Sequence, residues 1–256
     1  MPIQDKRLQA LASHITPARM APYLAEAQGD PAGALRLYRW NIQMSGALYE
    51  GLGAAEVFLR NAMDAQLRVW NAAQPPRQGV IYNHEWARNP AGPLWAILNP
   101  RRQNGPGRYS NYTDAYRRAQ KDCDARPAGH RRHGHPIDHD DVVAHLTFGI
   151  WNKLLPSRNK QANPPTLRPA GQKRLWEEAL KHAFPHHQNA PVVKFWVERL
   201  HAIRNRVAHV EPLLDGQPVS YHRTIVHLLH AIDPELRDWF TDSSRIPTVA
   251  KQRPTF

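Results

Sequence analysis

Cysteine is nearly absent. Cys123 stands alone, so the chain has no internal disulfide and no cysteine-based zinc site. Strand-like alternation of apolar and polar residues is hard to find anywhere, which argues against a β or α/β fold. No apolar run approaches the length needed to cross a bilayer. Met1 to Ala12 is polar and charged where a secretory leader needs an apolar core, so no membrane is expected and a cytoplasmic location is. There is no Gly-rich phosphate loop, no G-x-S-x-G, and no H-E-x-x-H. Nucleotide hydrolysis on a phosphate loop, serine hydrolase chemistry and thermolysin-type metal chemistry lose their usual signatures.

What is present is positive charge and helical periodicity. The 256 residues carry a formal net charge of +12. The pI is about 10.2, so a polyanion is the expected partner, nucleic acid before any other. That length supports a real core, and no repeat or linker divides it, so a single domain over 1–256 is expected. Residues 1–15 and 242–256 read as terminal extensions, and 99–137 as a basic insertion. The tail from Thr241 is expected to lack order of its own.

Helix starts and stops are legible. Thr16-Pro17 opens a short helix that Gly29-Asp30 ends, and Asp30-Pro31 opens the longest periodic segment, to about Trp70. Tyr38, Ser45, Tyr49, Leu52, Leu59, Met63 and Leu67 share one face of it. Glu56 lies inside that stripe, with Arg60 at i+4 and Asn61 beside it. They form either an internal ion pair that fixes helix packing or a support for a catalytic site. Trp86, Trp95, Ile97 and Leu98 are expected packing points. One helix is expected from Asp140 to Leu155, then a proline-rich loop from Pro156 to Pro169 and a helix over Gln172–Ala183. Two further helices are expected after Pro218 and Pro234. The fold class is all-α, an antiparallel helical bundle with additional helices and long basic loops.

The densest chemistry is Arg204-Asn205-Arg206-Val207-Ala208-His209. The residues leading into it, Val193, Trp196, Leu200, Ile203 and Val207, alternate by three and four, the stripe of a helix that buries one side. At about 100° per residue, Asn205 and His209 lie opposite that stripe and Arg204 on its flank. Pro212 forces Glu211 out of helical geometry, so His209 falls in the last turn, where the macrodipole favours an imidazolium. Such a histidine suits proton transfer, and an arginine a turn away suits an anionic transition state. A solvated C-terminal cap is the plainer reading of the same residues.

From Asn99 to His135 the chain turns basic. Arg101, Arg102, Arg108, Arg117, Arg118, Lys121, Arg131 and Arg132 are interleaved with Tyr109, Tyr112 and Tyr116. Cations neutralise phosphates and aromatic faces stack on unpaired bases, so the stretch reads as a surface for single-stranded nucleic acid or as a solvated insertion. His130, His133, His135, Asp138, His139, Asp140 and Asp141 are metal-like in composition but follow no ligand pattern. Asp138 or Asp140 is more simply a helix N-cap.

Three stretches together resemble one family: Trp40–Glu50 continuing through Glu56-Val57-Phe58-Leu59-Arg60-Asn61-Ala62, then Val142–Trp151, then Ile203–Pro212. They look like the Abi-like (abortive infection) proteins of the HEPN superfamily, over about Ala18 to Pro247. The resemblance implies a HEPN-type helical domain and a metal-independent endoribonuclease of the R-x4-H type, with no cofactor. It makes Arg204, Asn205 and His209 catalytic, with Arg206 in a supporting share of the phosphate charge. It implies a homodimer with a composite cleft, and a role in phage defence or as a toxin–antitoxin effector. A noncoding RNA or a protein antitoxin is the further partner it implies. The alternative is a non-catalytic RNA-binding module paired with a small noncoding RNA.

Overall fold

The computed structural model describes residues 10–11, 14–101, 106–159, 166–214 and 217–256. The chain is helical. In order it forms α1 (Pro17–Glu26), α2 (Pro31–Ala72), α3 (Gly92–Leu98), α4 (Asn111–Asp124), α5 (His139–Ala144) and α6 (Phe148–Leu154). A short antiparallel pair, β1 (Ser157–Asn159) and β2 (Thr166–Arg168), follows. Then come α7 (Ala170–Glu178), a 3-10 turn (Leu180–Ala183), α8 (Ala190–Ala208), α9 (Pro218–Ile232), α10 (Pro234–Ser243) and α11 (Ile246–Lys251). No helix among the described residues is long and apolar enough to cross a membrane.

Contacts divide the chain into two compact units. The first comprises the described part of Met1–Ala55 with Arg199–His230 and Pro234–Phe256; the second comprises Glu56–Glu198 with Ala231–Asp233.

In the first unit, Asp30 starts α2 as the sequence predicts: its two carboxylate oxygens accept from the N–H groups of Ala32 and Gly33 at 2.9 and 2.8 Å. Leu37, Trp40, Met44 and Leu48 are buried along α2, as are Leu200 and Ile203 of α8 and Ile225 and Leu228 of α9. Gly51 is a point of close packing on α2, since an added Cβ would meet Ile225 and Phe240 at 3.0–3.1 Å. The tail departs from expectation. Ile246 and Val249, three apart on α11, are buried, and the Val249 carbonyl accepts from Trp40 Nε1 at 2.9 Å. Pro247 at the start of that helix and its small apolar stripe supply the order that composition hides.

In the second unit, Leu59, Met63 and Leu67 of α2, Trp86, Trp151 and Phe184 are buried. Trp86 meets Trp151 edge to face at 5.9 Å. Trp95, expected as a packing point, is instead 47% exposed and lies under the Arg108 guanidinium at 4.7 Å. The single helix expected from Asp140 to Leu155 is two, because Thr147 turns extended and starts α6 anew. The loop expected from Pro156 to Pro169 contains the β1–β2 pair.

Candidate functional site

Helix α8 buries Val193, Leu200, Ile203 and Val207, and half-buries Trp196. That anchoring turns Arg204, Asn205 and His209 outward, and all three are exposed. The helix ends in a paired C-terminal cap: Glu211 N–H donates to the Arg206 carbonyl at 2.9 Å and Val210 N–H to the Val207 carbonyl at 3.0 Å. His209 is the cap residue. Val210 closes the turn at φ +50°, a left-handed conformation that a β-branched side chain rarely adopts. Local strain of this kind persists only where the surroundings hold it.

Three side chains hold it. Arg19 of α1 donates to the His209 and Val210 carbonyls at 3.4 and 2.9 Å, satisfying carbonyls that the helix end leaves open. Asn41 of α2, fully buried, donates to the Glu211 carbonyl at 3.3 Å and accepts the Leu213 N–H at 2.7 Å. Arg206 donates to the Pro212 carbonyl at 2.5 Å and lies 3.5 Å from Glu211. Sequence reasoning gives Arg206 a share of the phosphate charge, but its guanidinium is engaged in the turn. Sequence reasoning also misses Arg19 and Asn41. The signal for Asn41 is an amide between Trp40 and Met44 in an apolar run, which needs a partner once buried.

Among the described residues, no side-chain hydrogen bond or ion pair engages Arg204, Asn205 or His209. A guanidinium and an imidazole with their bonding capacity free stand on one braced helix end. That arrangement can bind an anion and accept a proton. Beside it runs a shallow groove of about 360 Å³, lined by Ile42, Ser45, Gly46, Tyr49, Val207, Ala208 and Val210. Tyr49, assigned by periodicity to the buried stripe, is 62% exposed there.

No family model, curated protein or solved structure matches this chain.

Glu56, Arg60 and Asn61 belong to the second unit. Arg60 donates to the Ala144 carbonyl at 3.3 Å, Glu56 is half-buried and Asn61 is exposed. The buried carboxylate of α2 is two turns further on. Asp64 accepts from Trp86 Nε1 at 2.7 Å and from Arg68 Nε at 2.6 Å, and His139 Nε2 lies 3.1 Å away. Burial pushes the Asp64 carboxyl up, but the bonds from His139, Trp86 and Arg68 outweigh it and hold it below the ordinary carboxylate value.

The basic stretch divides by role. Arg102 lies outside the described residues. Arg101 and Arg108 face each other in a backbone bridge, and Arg108 also donates to the Asn99 carbonyl at 2.6 Å. Arg117 pairs with Asp114 at 3.3 Å and Arg118 donates to the His145 carbonyl at 2.8 Å. Arg132 bridges Asp138 and Asp141 at 2.9 and 2.8 Å, with Arg126 on Asp141 at 3.0 Å. Lys121 and Arg131 are exposed. Tyr116, Arg117 and Lys121 form an exposed row on α4.

The His130–Asp141 cluster is a folding device. Asp138 caps α5, its side chain accepting the Asp141 N–H at 3.0 Å while the Asp141 carboxylate accepts the Asp138 N–H at 3.0 Å. Among the described residues, no three His, Cys, Asp or Glu side chains are grouped to hold a metal.

Proposed function

We propose that the chain is a metal-independent endoribonuclease of the R-x4-H type, an Abi-like protein with a HEPN-type bundle. One observation carries the reading: Arg204 and His209 are exposed and, among the described residues, their side chains are unengaged, at a helix end that Arg19, Asn41 and Arg206 hold in place. RNA supplies its own nucleophile. His209 removes the 2′-hydroxyl proton, the 2′-oxygen attacks the adjacent phosphorus, and the 5′-oxygen leaves with a proton returned from a general acid. The product is a 2′,3′-cyclic phosphate and a free 5′-hydroxyl. Arg204 stabilises the added negative charge on the phosphorane oxygens. Asn205, one turn before His209, holds the ring or a phosphate oxygen.

On an ideal helix Arg204 and His209 point about 140° apart. A second copy resolves that geometry by placing its motif helix opposite, so that one copy binds the phosphate and the other moves the proton. The protein then acts as a homodimer in the cytoplasm, as a phage-defence or toxin–antitoxin effector restrained by a noncoding RNA or a protein antitoxin.

The test is RNA digestion in EDTA by wild-type protein and His209→Ala, with end-group analysis of the fragments. A second reading rests on the exposed row Tyr116, Arg117 and Lys121: an RNA-binding module that does not cut. It predicts salt-dependent binding and RNA left whole at high protein concentration.

A further inference from the structure

The groove beside the motif has features that packing alone does not require. Ser45 on its floor is only 6% exposed, and among the described residues its hydroxyl has no hydrogen-bond partner. A buried hydroxyl left unpaired is costly and marks a place where something else supplies the bond. Gly46 leaves the floor open, since an added Cβ would meet nothing within 4 Å. Tyr49 presents an exposed aromatic ring one turn further along. Both rims are cationic. Arg39 precedes Ile42 and Gly46 on the exposed face of α2, and Arg204 precedes Val207 and Ala208 by one turn on α8. Among the described residues neither guanidinium has a hydrogen-bond or ion-pair partner.

Resting on the ribonuclease reading, we infer that this groove is the subsite for one unpaired base next to the scissile phosphate. The base lies over Gly46 against the Tyr49 ring, and its edge completes the Ser45 hydroxyl. Arg204 and Arg39 take the phosphates on either side. Stacking on an aromatic ring tolerates any base, so the subsite positions the strand more than it selects sequence. A second copy of the chain fits the groove less well. An apolar helix face would leave Ser45 unpaired. A nucleotide complements both the charge and the hydroxyl.

The experiment uses a short, fluorescently labelled 2′-O-methyl oligoribonucleotide, which binds but lacks the attacking hydroxyl. Tyr49→Ala and Gly46→Val, the second filling the floor, are expected to weaken binding about ten-fold or more. Ser45→Ala is expected to weaken it about five-fold while raising the thermal midpoint of the free protein, a combination that a structural role would not give. Unchanged affinity in Gly46→Val and Tyr49→Ala overturns the subsite. So does loss of a dimer by sedimentation in those variants, which gives the groove to a second copy. If they bind weakly but wild-type protein leaves cleavable RNA whole, the subsite stands and the ribonuclease reading fails.

Discussion

Asn41 accepts the Leu213 N–H at 2.7 Å from a position of complete burial, 172 residues away in sequence. The same amide donates to the Glu211 carbonyl. One side chain thus fixes the turn that follows His209 at two points. Asn41→Ala leaves a buried backbone N–H unpaired and should cost about 2 kcal/mol. Urea unfolding measures this. RNA cleavage should fall more than stability does, because the turn that aims His209 loosens before the core opens.

The Asp64 network makes the second unit acid-sensitive. Its folded carboxyl titrates below the unfolded value, so its stabilisation is complete above the ordinary carboxylate range and is lost as pH falls through the folded pKa. Urea midpoints should therefore drop below about pH 4. Asp64→Asn should cost about 3 kcal/mol at neutral pH by leaving Arg68 and His139 short of a partner. It should also flatten the acid limb. An acid limb unchanged in Asp64→Asn would assign the sensitivity to other carboxylates.

His222 behaves in the opposite chemical sense with the same sign. Burial, helped by Arg223, lowers its pKa from the ordinary 6.5, and its Nε2 is buried without a partner among the described residues. A folded state that resists protonation is most stable above the unfolded pKa and loses that advantage as pH falls through the folded one. The ring already lies 5.3 Å from Phe240. His222→Phe should add about 1 kcal/mol and remove the loss of stability that sets in as pH falls below the ordinary histidine value of 6.5. Thermal melts on both sides of that value test it.

The cations of the basic stretch separate into those engaged in folding contacts and those left exposed. Arg126 is largely buried against Asp141, so Arg126→Ala should cost about 1–3 kcal/mol. Lys121→Ala should leave stability within about 0.5 kcal/mol. It should reduce the salt dependence of RNA binding, lowering the log–log slope by about 0.7 for each phosphate that Lys121 neutralises. An unchanged slope removes Lys121 from the RNA surface.

Helix positions and the buried stripe of α8 are readable because apolar spacing and the cap signals at Asp30, Asp138 and Pro17 act locally. Exposure of Arg204, Asn205 and His209 follows from that stripe alone. The rest depends on contacts between residues distant in sequence. Arg132 looks like a phosphate ligand until Asp138 and Asp141 fold beneath it. Tyr49 belongs to the apolar stripe by period, yet no described element covers it. The tail helix is hidden because Ile246 and Val249 are too few to register as a periodic face, though both are buried and Trp40 bonds the Val249 carbonyl. Arg19 is unremarkable in sequence and gains its role from a helix end 190 residues away.

The proposed reaction turns on His209 as the proton acceptor. The direct measurement is digestion of single-stranded RNA in EDTA by purified wild-type protein and His209→Ala, with the melting curve of each recorded. Cleavage to cyclic phosphate ends by wild type, and its loss by about a hundred-fold or more in a variant that melts alike, is the predicted result. Equal cleavage by the two proteins, or none by either, would contradict it.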